Sequence, residues 1–241
     1  MSERSKAQMW RAYAAIFLLP LWLPSTALAQ VEWSGAGGDG NFSTGSNWIG
    51  GVAPTSSTST ILGFGVSGTA NPSPIVDAPF TLNRLNIDSL NGYTLGGSAL
   101  TFGGADPSII ASGFTNHAIT APIGFGTTLL IGTGPFLGSL ALGNVTSNGA
   151  LVTDVASGTI SIVGLSGSGS LTKNGLGGLS GSTNWTHGGD TTLNGGTISA
   201  TIASSGRLTV TNGSFRSAVS SFGSLAGSGG QINVLDCGPA C

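Results

Sequence analysis

The chain has 241 residues, of which 42 are glycine, with only 7% charged side chains and a formal net charge of −2. No cluster of Lys or Arg exists to track a phosphate backbone, so a nucleic-acid partner is excluded. Low charge with positive mean hydropathy is the reverse of a disordered composition, and points to an ordered β protein with a hydroxyl- and amide-rich exterior.

Residues 1–29 read as a signal peptide. Arg4, Lys6 and Arg11 form a basic start, AYAAIFLLPLWLP supplies the apolar run, and Ala27-Leu28-Ala29 offers a cleavage site before Gln30. Pro20 and Pro24 interrupt the run, which is too short to span a bilayer. The mature chain keeps four basic and eight acidic side chains. It has no further stretch long enough for a membrane span.

Residues 30–65 hold two Trp and few strand signals, as expected of an N-terminal cap. From 66 to 235, apolar residues recur two apart: Leu85/Ile87, Tyr93/Leu95, Leu100/Phe102, Leu129/Ile131, Leu140/Leu142, Ile160/Ile162, Leu208/Val210 and Ile232/Val234. Each pair places two apolar side chains on one face of a strand. Turn dipeptides such as Asn91-Gly92, Asn148-Gly149, Asn194-Gly195 and Asn212-Gly213 separate them. Very short strands at this pace predict an all-β, right-handed parallel β-helix (a β-solenoid) with an N-terminal cap. At about 20–25 residues per rung, the chain supplies roughly nine rungs and a rod of order 45 Å. Residues 236–241 form an irregular tail, where Cys237 and Cys241 make either a small disulfide loop or two free thiols.

Chemistry-bearing patterns are sparse. Gly63-Phe64-Gly65-Val66-Ser67-Gly68 matches GxGxxG, but the following TANPSPIVDAP cannot be the helix that a dinucleotide site requires. His117 and His187 lack ligand-spaced partners, and His187 reads as a solvated turn residue. Asp39-Gly40-Asn41-Phe42-Ser43 resembles a Ca²⁺ loop only faintly, and reads better as a turn held by Asx hydrogen bonds. The eight acids of the mature chain are spread almost evenly, which disfavours paired-carboxylate catalysis. No catalytic residue, metal ligand or cofactor is implied.

Two regions resemble a known family, the autotransporter-associated β-strand repeat proteins, whose repeat is also called the passenger-associated transport repeat. The first comprises Trp33, Gly37-Gly38-Asp39-Gly40-Asn41, Ser43-Thr44, Asn47-Trp48 and Gly51-Val52-Ala53-Pro54. The second, within residues 167–200, is similar to L-T-K-x-G-x-G through Leu171, Thr172, Lys173, Gly175 and Gly177. It continues with Asn184, Gly188, Gly189, Gly195, Gly196 and Thr197. The stretch Gly178-Leu179-Ser180-Gly181 is two residues shorter than the family pattern, so one strand of that rung is expected to be abbreviated.

The resemblance implies a passenger domain lacking the C-terminal membrane β-barrel: a stand-alone short passenger, a fragment, or a truncated reading frame. It implies a non-catalytic, exported scaffold or adhesin-like module, secreted or at the cell surface, whose repeat assists passenger transport and folding. A separate outer-membrane translocator and host or cell-surface glycans or proteins are the partners it implies. The alternative is a carbohydrate-binding or polysaccharide-cleaving β-helix, with Trp48 and Trp185 exposed as surface contacts.

Overall fold

The computed structural model describes residues 29–65, 71–134, 138–217 and 220–234. The leader up to residue 28, Val66–Gly68 of the glycine motif, and the tail carrying Cys237 and Cys241 lie outside the described residues.

The architecture is a parallel β-helix. Its first side stacks ten strands in chain order: Gln30–Glu32, Ile61–Phe64, Arg84–Asp88, Ser108–Ser112, Leu129–Thr133, Leu151–Val155, Leu171–Asn174, Thr191–Leu193, Arg207–Val210 and Ser224–Gly227. Every neighbouring pair on this side is parallel. At about 4.8 Å per step, ten stacked strands span about 43 Å, as the sequence pattern predicts.

Two further sides complete each turn. One runs through Thr94–Gly97, Asn116–Ile119 and the start of Ser139–Ser147. The other runs through Phe80–Leu82, Leu100–Phe102, Ile123–Phe125 and the end of Ser139–Ser147. The nine-residue strands Ser139–Ser147 and Thr159–Gly167 pass through the corner and join these sides into one sheet.

Alternation along each strand builds the core. One interior row of the first side reads Val31, Leu62, Leu85, Ile109, Ile131, Thr153, Lys173, Leu193 and Val210. A row of the second side reads His117, Leu140, Ile160, Leu179, Ile198 and Phe215. Each fully buried Leu or Ile adds roughly 1.5–3 kcal/mol, so the rows form one continuous stabilising stripe. The first seven predicted pairs are buried. Ile232 of the last pair is 38% exposed, because no rung stacks beyond it among the described residues.

The rungs tighten along the chain. Register offsets on the first side fall from 23 residues (Leu62 to Leu85) and 24 (Leu85 to Ile109) to 20 (Leu171 to Thr191) and 17 (Thr191 to Leu208). The shortening is gradual and begins before residue 167, with offsets of 22 (Leu129 to Leu151) and 20 (Leu151 to Leu171) in between. Thr159–Gly167 is continuous, but the next rung breaks into Gly178–Gly181 and the two-residue strand Thr186–His187. Beyond it, among the described residues, the third side survives only as isolated bridges, Trp185 to Ile202 and Ala203 to Ser221.

Region 30–65 caps the stack and also contributes its first two strands. Trp33, Phe42, Trp48 and Phe64 pack in edge-to-face, tilted and stacked pairs, with ring centroids 5.0–6.1 Å apart. The Asp39 carboxylate accepts from Asn41 N–H at 3.0 Å, Thr44 Oγ1 at 2.9 Å and Asn47 Nδ2 at 2.7 Å. These donors hold it below the usual carboxylate range and account for its role as a turn anchor.

Candidate functional site: the Lys173 corner

Strand parity puts Lys173 on the same face as Leu171, two residues earlier, and that face points inward. Lys173 is fully buried, between Thr153 and Leu193 in the interior row. Its hydrocarbon stem fits that row, whereas its ammonium needs acceptors. Nζ donates to the carbonyls of Asn174 at 2.6 Å, Gly175 at 2.9 Å and Gly195 at 3.2 Å. The three N–H groups of the ammonium are thereby matched by three oxygens. Burial pushes the lysine down to about 8, and the nearby Asp154 carboxylate opposes this.

The acceptors belong to two stacked turns. Gly175 has φ +76°, and a Cβ there would lie 2.4 Å from Val155 O, so glycine is required on both counts. The turn below stacks one rung on, with its positive φ one place later, at Gly196 (+69°), and Asn194 Nδ2 donates to Asn174 Oδ1 at 2.9 Å. Lys173 thus staples its own corner to the next.

The other repeat residues fall into place around this corner or away from it. Leu171 is buried above Thr191, and Thr172 points outward beside Thr192. Gly177 N–H donates to Val155 O at 2.8 Å, and Thr197 opens the strand paired with Gly178. Gly196 sits close under Gly177 O in the next turn. Gly188 and Gly189 lie at a different corner, donating to Gly167 O at 2.8 Å and Gly169 O at 3.0 Å. Asn184 is exposed and apart from both groups.

Three sequence expectations are corrected here. Trp48 is 1% exposed and Trp185 is 0% exposed, so neither is a surface platform. Trp48 lies inside the aromatic cap, with Nε1 donating to Phe42 O at 2.8 Å. Trp185 lies over Gly181, where a Cβ would come within 2.7 Å of the indole ring. His187 is not solvated either: it is 2% exposed, with Nε2 2.8 Å from Thr191 Oγ1. In each case turn-like neighbours hid the parity that sends the side chain inward; Trp185 and His187 are themselves two residues apart.

Two open grooves mark the surface. One, about 630 Å³, is lined by Arg84, Asp106, Pro107, Ser108, Thr128 and Leu130. The other, about 600 Å³, is lined by Gln30, Glu32, Gly65, Asn86, Asp88 and Leu90. In the second, Asn86 Nδ2 donates to Gln30 Oε1 at 2.5 Å and Gln30 donates on to Glu32. Among the described residues, no group of three or more His, Cys, Asp or Glu is placed to hold a metal, and no helix is long and apolar enough to cross a membrane.

Comparison with protein-family models, with curated proteins and with solved structures found no match in any of the three.

Proposed function

We propose that the chain is an exported, non-catalytic β-helix scaffold of the passenger type, carrying an adhesin-like surface outside the cell. The Lys173 corner supports this reading most: the repeat's one cation is consumed inside the fold, joining successive rungs. A residue so used serves stacking, and so the outward folding of a passenger, rather than substrate chemistry. The rod displays rows of small hydroxyl side chains, such as Thr172, Thr192 and Thr209, at the spacing of the rungs.

Expression of the full chain in a Gram-negative host tests the export part. The expected product lacks residues 1–29, starts at Gln30 by mass spectrometry, and is found outside the cytoplasm. Retention of the intact chain in the cytoplasm would overturn it.

The second groove favours one alternative, a glycan-binding or glycan-cleaving face. Planar amides and two carboxylates, Glu32 and Asp88, line a hollow of saccharide size. Millimolar binding or cleavage of an oligosaccharide that is lost in Glu32→Gln would select this reading over the scaffold.

A further inference from the structure

The rung that follows the Lys173 corner contains a weak point of a different kind. Its third side is the strand Thr186–His187, whose ladder on the rung before is two residues long, at Ser166 and Gly167, with a single bridge from the adjacent Trp185 to Ile202 on the rung after. In earlier rungs the interior row here is Leu82, Phe102 and Phe125, giving way to Ser147. At the level of Gly167 it becomes small, and His187 fills the space below.

The buried nitrogens Trp185 Nε1 and His187 Nδ1 have no hydrogen-bond partner. A neutral imidazole tolerates this, because Nε2 satisfies its other side through Thr191 Oγ1. A protonated ring has two N–H donors, and the one on Nδ1 then has no acceptor.

No carboxylate faces the ring from any element packed on it. Thr159–Gly167 and residues 200–206 carry no charged residue. Asp190 is exposed and accepts from Arg207 N–H at 2.8 Å. Lys173 spends its ammonium on the corner carbonyls. Burial alone holds His187 down, to about 4. Burial also holds His117 down, opposed by the Ser112 carbonyl and the Asp88 charge, but both its nitrogens have partners: Nδ1 accepts from Tyr93 N–H and Nε2 meets Ser112 O, both at 3.2 Å.

We propose that the segment 181–204 is an acid-opening latch, in which protonation of His187 releases this rung while the cap and the earlier rungs stay folded. The open segment binds the proton near the ordinary histidine value of about 6.5, and the closed segment resists it. Opening is therefore disfavoured at pH 7.5 and grows as pH falls from about 6.5 towards 4. Acid release of one rung would give an exported rod a local, reversible change of shape.

Hydrogen exchange of the purified chain, corrected for intrinsic pH dependence, tests the latch peptide by peptide. The opening equilibrium of 181–204 is expected to rise about a hundredfold between pH 7.5 and 4, with residues 30–64 unchanged. In His187→Gln the profile should be flat. A flat wild-type profile, an equal rise in His187→Gln, or a uniform rise over all rungs would overturn the proposal. If His187→Gln does not fold, the wild-type ring is followed by NMR. A midpoint near 6.5 in the closed state refutes the latch, and a midpoint displaced well below it supports the latch.

Discussion

Lys173→Glu is expected to prevent the second half of the helix from forming. A carboxylate would replace the ammonium against the carbonyls of Asn174, Gly175 and Gly195, where oxygens meet oxygens with no water to separate them. The milder variants separate the parts of this effect. Lys173→Ala leaves a void and three weakened carbonyls, for a loss of about 2–4 kcal/mol. Lys173→Met keeps the stem and removes a buried charge; these terms offset, and it should fall within about 1.5 kcal/mol of wild type.

The pH dependence gives an independent reading of the same group. With the folded lysine at about 8 and the unfolded one near 10.5, the unfolded chain binds more protons between those values. Wild-type stability should therefore rise from pH 8 to 10.5, by at most about 3 kcal/mol, and be flat below pH 8 for this group. Lys173→Met should lack the rise. Denaturant midpoints at pH 7 and pH 10 check both statements.

The second large effect concerns the cap. Trp48→Ala empties the centre of the Trp33–Phe42–Phe64 cluster and is expected to cost about 3–5 kcal/mol. In a stack where each rung touches only its neighbours, the damage stays local. Amides of 30–64 should exchange fast while those of 171–217 keep their protection. Trp48→Phe loses mainly the indole bond to Phe42 O and should cost about 1 kcal/mol. Equal loss of protection along the whole chain would show that the cap and the distal rungs unfold as one unit.

The fold was legible because a strand reports its inward face with a period of two. Leu85/Ile87, Leu140/Leu142 and Ile160/Ile162 carried that signal without interruption, and asparagine-glycine turns marked the corners. The polar interior was harder to read. Lys173 and His187 obey the same parity as Leu171 and Trp185, but an imidazole beside glycines looks like a solvated turn residue, and nothing next to Lys173 marks its ammonium as buried. Two of its acceptors, the carbonyls of Asn174 and Gly175, belong to its own corner; the third, Gly195 O, lies in the next rung, and no local pattern announces it. The two tryptophans failed as surface contacts for a related reason. Gly181 makes the space that Trp185 fills, and the residue that makes such room is visible only once the rungs are stacked. The tightening from 24 to 17 residues per rung was likewise hidden, because shortened corners keep the same turn chemistry.

The central claim is the parallel register across the repeat, and cysteine cross-linking measures it directly. In a chain carrying Cys237→Ser and Cys241→Ser, Thr172→Cys with Thr192→Cys joins outward neighbours in adjacent rungs. Their Cα atoms should be about 5 Å apart, within disulfide reach. Thr172→Cys with Thr209→Cys spans two rungs, about 9.6 Å, which is out of reach. The account predicts fast, complete oxidation of the first pair and none of the second. Efficient linkage of the second pair, or failure of the first in folded protein, would contradict it.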